Sequence, residues 1–115
     1  MNRIYPILAA LGTMMAAPAA ASPPVVGGQG LCPNAVALSD YIRATYPGVQ
    51  SIGGVRKDAL PDHPSGHALD IMVGGNTALG DIIATDIRSQ ATRFGVAYVL
   101  WRVVRHFDHV HVTVI

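Results

Sequence analysis

One stretch near the C-terminus constrains this chain most. His109-Val110-His111-Val112-Thr113-Val114 alternates polar and β-branched residues without interruption. Successive side chains on a β-strand point to opposite faces. The pattern therefore predicts a strand with Val110, Val112 and Val114 on one face and His109 and His111 on the other. The valine face needs a core to cover it. Two neighbouring imidazoles, with His106 just ahead of them, point to a metal or catalytic site.

A second stretch supplies partners. His63-Pro64-Ser65-Gly66-His67-Ala68-Leu69-Asp70 runs from a Pro- and Gly-containing loop into a predicted strand over His67–Val73. Leu69, Ile71 and Val73 share the core face, so Asp70 points the other way with Ala68 and Met72. A carboxylate among apolar strand residues is costly unless it is paired or coordinating. If the two strands share one sheet, Asp70, His109 and His111 converge on its far face, and His63 reaches them from the loop. Two imidazoles and a carboxylate make a catalytic zinc set with one position open to water. Cys32, the lone cysteine, is distant in sequence and forms no intramolecular disulfide.

The remaining patterns fill in a fold. Val36, Leu38, Tyr41, Ile42 and Tyr46 predict a helix over Asn34–Thr45, capped at Asn34 and stopped by Pro47-Gly48. Val49–Arg56 reads as a strand, with Gly53-Gly54 marking a bulge or a close backbone approach. Leu79, Ile82, Ile83, Ile87, Ala91 and Phe94 form one stripe of a helix over Thr77–Phe94, begun at Asn76 or Thr77 and ended by Gly95. Val96–Val103 is a third strand, Arg105–Phe107 a short connection, and Asp108–Val114 the fourth strand. Regular alternation turns Asp108 away from His109 and leaves it to hold the hairpin or His106. The expected fold is α+β: a mostly antiparallel four-stranded sheet, two helices packed on one face, and the zinc site on the other.

The N-terminus reads differently. Residues 1–21 carry an early positive charge, a short apolar run and Ala19-Ala20-Ala21 before Ser22, the pattern of a secretory signal peptide. Pro6, Gly12 and Pro18 interrupt the run, so no stable membrane span is expected after cleavage. Residues 22–30, rich in Pro and Gly, read as a flexible leader, and 31–115 as the domain. The chain has 8 basic residues and 7 acids, and Arg3 leaves with the signal peptide. That neutral balance argues against a nucleic-acid partner. A domain this small gains from a structural staple, and a bound metal would supply one.

Together, His63-x-x-Gly66-x-Ala68-x-Asp70 and Asp108-His109-x-His111 resemble the zinc signature of the LAS metallopeptidases. That group comprises lysostaphin-type enzymes, D-alanyl-D-alanine metallopeptidases and hedgehog-like domains. The resemblance covers roughly Val49 to the end, and is similar in wording to small secreted bacterial domains of the D-alanyl-D-alanine peptidase type. It implies one zinc per chain, held by His63, Asp70 and His111. It implies that His109 works beside the metal water as a base or transition-state stabiliser. It further implies that Arg56 holds substrate or its developing oxyanion, and that His106 matches an active-site histidine of the murein endopeptidase branch. Pro61 departs from the usual Ser or Thr two before the first ligand, and the connection before the last strand is shorter than in related domains.

All seven acids are aspartates, so branches with a glutamate base are not the pattern followed here. General-base work then falls to a histidine or an aspartate, and His109, whose side-chain type titrates near neutrality, is the best candidate. His67 reads as a rim histidine, Trp101 and Tyr98 as core or cleft-wall aromatics. Ser65 lacks the G-x-S-x-G elbow of a serine nucleophile. The expected function is a secreted or periplasmic zinc peptidase that hydrolyses peptidoglycan peptides with a zinc-activated water. The alternative is a non-catalytic, zinc-stabilised module of the same fold that binds cell wall or protein.

Overall fold

The computed structural model describes residues 21–115, so all but the last residue of the expected signal peptide lies outside the described residues. In chain order the elements are β1 (Val25–Val26), α1 (Pro33–Thr45), β2 (Ser51–Gly53), β3 (Ala68–Met72), α2 (Thr77–Ser89), α3 (Ala91–Phe94), β4 (Val96–Leu100) and β5 (His109–Val114). The strands form one sheet in the order β1-β2-β3-β5-β4. β2, β3, β5 and β4 pair antiparallel, whereas β1 runs parallel to β2.

The α+β class holds, but among the described residues the sheet is mixed and five-stranded rather than four-stranded and antiparallel, and there are three helices rather than two. The added strand comes from the stretch expected to be a flexible leader. Backbone amides recruit it: Ile52, Gly54 and Val55 donate to the carbonyls of Pro24, Val26 and Gly27. A Cβ on Gly54 would lie 2.4 Å from the Gly27 carbonyl oxygen, so the glycine permits the approach. This is the close backbone contact that Gly53-Gly54 signalled.

Helix boundaries follow local chemistry. α1 begins at Pro33, whose fixed φ suits a first helical position. Asn34 therefore sits inside the helix and does not cap it; its amide donates to the Ile115 carbonyl at 2.7 Å. Asn76 caps α2 as its sequence position suggests, its side-chain oxygen accepting from the Leu79 amide at 3.1 Å. The expected helix over Thr77–Phe94 breaks at Gln90, whose side chain turns back to Asp86 at 2.6 Å. Gly95 then ends α3 in the left-handed conformation, φ 63°.

A single core joins the layers. Leu38 and Ile42 of α1 and Ile83 and Ile87 of α2 cluster with Leu69 and Ile71 of β3 and Val110, Val112 and Val114 of β5. Full burial of each such side chain is worth about 1.5–3 kcal/mol. Gly80 of α2 lies flat against Trp101, where a Cβ would fall 2.1 Å from the ring. Leu69, Ile71 and the β5 valines are thus claimed by the core, and strict alternation commits Asp70, His109 and His111 to the other face. Among the described residues no helix is long and apolar enough to cross a membrane.

Candidate metal centre

Three segments bring the site together. Asp70 sits in the middle of β3, directly opposite His111 of β5, and Met72 lies opposite His109. His63 comes from the turn ahead of β3. That turn is held by amides of Ser65, Gly66 and His67, which donate to the carbonyls of Pro61, His63 and Asp62. Gly66 has φ 81°, and a Cβ there would meet the Gly30 carbonyl oxygen at 2.2 Å. Only glycine fits that position without strain.

His63, Asp70 and His111 are buried, at 1 %, 8 % and 7 % exposure. Each offers a ligand atom, and these atoms lie within 4.8 Å of one another, so the group could hold a metal ion. The hydrogen-bond partners show which atoms are free. His63 Nδ1 lies 2.8 Å from the Gly54 carbonyl oxygen, an acceptor only, so the neutral ring carries its hydrogen there. Its Nε2 is then a buried lone pair with no hydrogen-bond partner. Asp70 Oδ2 stands 3.2 Å from it but off the axis of a hydrogen bond. His111 Nδ1 faces Asp70 Oδ1 at 3.1 Å. Two imidazole nitrogens and a buried carboxylate thus converge on one point, a donor set that suits a cation.

Asp70 is further engaged by Arg56, whose Nη2 donates to Oδ2 at 3.1 Å. Burial by itself pushes the Asp70 carboxyl up. The His111 hydrogen bond, the neighbouring His63 and His109 and the Arg56 guanidinium outweigh it and hold Asp70 well below the usual carboxylate range. Arg56 lies beyond the end of β2 rather than on the expected strand. Its guanidinium is half exposed and also reaches Asp58 at 3.6 Å.

His109 opens β5 and lies beside the triad, with Nε2 3.6 Å from Asp70 Oδ1. Its Nδ1 lies 2.7 Å from Asp108 Oδ1. Asp108 is therefore the partner of His109, contrary to the alternation argument. It precedes the first strand residue, in a bend, so the two-residue period does not reach it. The hydrogen bond from His109 holds the Asp108 carboxyl below its ordinary range. His106 stands in the hairpin before β5. Its Nδ1 donates to the Val104 carbonyl at 2.9 Å, and its ring centroid is 5.0 Å from that of His109 and 5.5 Å from that of His111.

Arg56, His63, His106, His109 and His111 all line one cleft of about 340 Å³, with Tyr98, Leu60 and Arg105 on its walls. His67 is not among them; its Nδ1 bonds the Val114 carbonyl at 3.1 Å at the end of the sheet. The structure adds residues that the motifs do not name. Thr113 Oγ1 lies 2.8 Å from His111 Nε2 and donates to Asp62 Oδ2 at 2.8 Å. Tyr98 donates to the same Asp62 oxygen and stacks on His111 with centroids 5.9 Å apart. The signal was present: Thr113 shares the alternating face of His109 and His111, and Asp62 adjoins His63.

Among known proteins, no curated protein and no solved structure matches the chain. The family model described as the VldE C-terminal domain matches residues 27–106. The matched segment holds Arg56, His63, Asp70 and His106 and ends ahead of β5. By that match over most of its length, the chain belongs to the VldE C-terminal domain family.

Proposed function

We propose that the protein is an exported zinc-dependent peptidase acting on peptidoglycan peptides, with its centre at His63, Asp70 and His111. The observation that carries this reading is the unpartnered Nε2 of buried His63, set against Asp70 and His111 beneath an open cleft. The donor set of two imidazoles and one carboxylate favours zinc with an open position over a closed structural site. The LAS-like spacing of the two motifs supports the reaction class, and the N-terminal signal pattern supports export.

Zinc held there would supply Lewis acidity, lowering the pKa of water and polarising a carbonyl. His109 accepts a proton at Nε2, the nitrogen left free by Asp108, and delivers it to the departing amine. Asp108 steadies the imidazolium that forms, and it keeps the ring oriented. Arg56 offers its exposed guanidinium to negative charge developing on the substrate oxygen. His106 lines the hairpin side of the same cleft, its Nδ1 hydrogen held by the Val104 carbonyl. The half-exposed Tyr98 and the exposed Leu60 give the walls apolar surface for peptide side chains.

The test is digestion of purified muropeptides by the zinc-loaded protein, read by mass spectrometry for new amine termini. Cleavage products from the wild-type protein, lost in a His109→Ala variant that still carries zinc, are expected. A zinc-loaded wild-type protein that cuts no member of a broad muropeptide panel would reject the peptidase and leave a zinc-stabilised binding module.

A further inference from the structure

We propose that Arg105 is a specificity-determining residue of the cleft, selecting substrates that carry a free carboxylate beside the scissile bond. The substrate class rests on the peptidase reading above. The hairpin between β4 and β5 sets the residue in place. The His106 amide donates to the Val103 carbonyl at 2.8 Å, which closes a tight turn with Val104 and Arg105 at its centre. Arg105 holds φ 69° there. The third position of such a turn ordinarily falls to Gly or Asn, because a Cβ is crowded in the left-handed region. Arg102, also left-handed at φ 59°, sets its guanidinium 3.7 Å from Asp81. No such partner accounts for the strained backbone of Arg105, and strain of this kind gathers where a ligand is held.

Among the described residues, the other arginines are satisfied by the chain itself: Arg43, Arg56, Arg88 and Arg93 all donate to its oxygens. Arg105 instead is exposed and lines the cleft. The two carboxylates on the cleft walls are engaged elsewhere. Asp58 lies 3.6 Å from Arg56, and Asp62 accepts from Tyr98 and Thr113. The wall therefore presents an uncompensated guanidinium, whose fork of donors matches a carboxylate. It stands close to the reacting centre: Arg105 adjoins His106, whose ring centroid is 5.0 Å from that of His109. A cleft of about 340 Å³ is at the small end of ligand pockets, which span ~300–1,000 Å³. It holds a short peptide segment, so the carboxylate that Arg105 reads belongs to a residue flanking the cut.

The test uses one synthetic stem peptide in four forms: both carboxyls free, the C-terminal carboxyl amidated, the internal carboxyl amidated, and both amidated. For the zinc-loaded protein, kcat/KM should fall about 10- to 100-fold when the carboxylate that Arg105 reads is amidated. A fall on C-terminal amidation identifies a chain terminus, and a fall on internal amidation identifies an internal carboxylate. Arg105→Gly should abolish the preference and keep the wild-type thermal midpoint, because glycine suits the turn. Arg105→Asn, which also accepts a left-handed φ, should do the same. Equal handling of all four forms by the wild type would overturn the role, as would a preference that survives in both variants. If the wild type cuts no form, calorimetric titration of the same peptides separates the two readings. Binding that favours the carboxylate, and loses that preference in Arg105→Gly, would sink the peptidase and leave the carboxylate site standing. Binding without preference, or none, would sink both.

Discussion

At the residue scale, the division of labour among the histidines is set by what each ring's second nitrogen bonds. His63 gives Nδ1 to the Gly54 carbonyl, His109 gives Nδ1 to Asp108, and His111 has Nε2 against Thr113. Each is left with one nitrogen for the centre. His109→Ala should therefore keep zinc while losing about 10²- to 10⁴-fold in muropeptide turnover, checked by metal analysis and initial rates on the same sample. Asp70→Ala should instead lose the metal itself, because it removes the carboxylate on which both buried imidazoles depend. The meeting of Asp70 and His111 was legible from strand alternation, and that of His63 from its place in the loop ahead of β3. The Asp108 contact was not, because side-chain alternation is a property of extended backbone and Asp108 sits just outside it.

At the element scale, two features of the helical layer can be tested apart from any metal. Gly80 lets α2 approach Trp101, and a methyl group there would meet the ring at 2.1 Å. Gly80→Ala should destabilise the domain: overpacking costs about 1–3 kcal/mol, more than the ~1 kcal/mol an alanine gains in helix propensity. Chemical denaturation reads the difference. Asp86 binds α2 to α1 by accepting from Tyr41 at 2.7 Å and Tyr46 at 2.5 Å. Burial pushes its carboxyl up. The bonds from Tyr46, Tyr41 and Gln90, with Arg93 nearby, outweigh that and depress it. A depressed folded-state pKa stabilises the fold above the unfolded value of about 3.9, and that stabilisation fades as pH falls through the folded value. The stability gap between wild type and Asp86→Asn should therefore be widest near neutral pH and should close below about pH 4. One boundary is hidden from the sequence. The apolar stripe runs on through Ala91 and Phe94, so periodicity predicts one helix, yet the backbone of Gln90 leaves the helical conformation, at φ −113° and ψ 25°, and splits it.

At the scale of the whole molecule, one physical rule connects fold and site. The valines of β5 and the aliphatic residues of β3 are buried against the helices, and the two-residue period then places Asp70, His109, His111 and Thr113 on the opposite face. That much could be read from residue order because the period is unbroken in both strands. The edge strand β1 could not. It has two residues, it lies in a Pro- and Gly-rich stretch, and it is held by backbone amides that leave no side-chain pattern. On the zinc reading, a small domain without an internal disulfide should lean on the bound metal. Chelation from a state saturated about 100-fold above Kd removes ~2.7 kcal/mol of stability, which lowers the thermal midpoint by roughly 11–22 °C in a domain this size. The most direct measurement of the central claim is metal content by mass spectrometry on protein purified without a histidine tag. About one zinc per chain is predicted for the wild type, and close to none for Asp70→Ala. A wild-type protein without zinc, whose thermal midpoint does not move on chelation, would contradict the account.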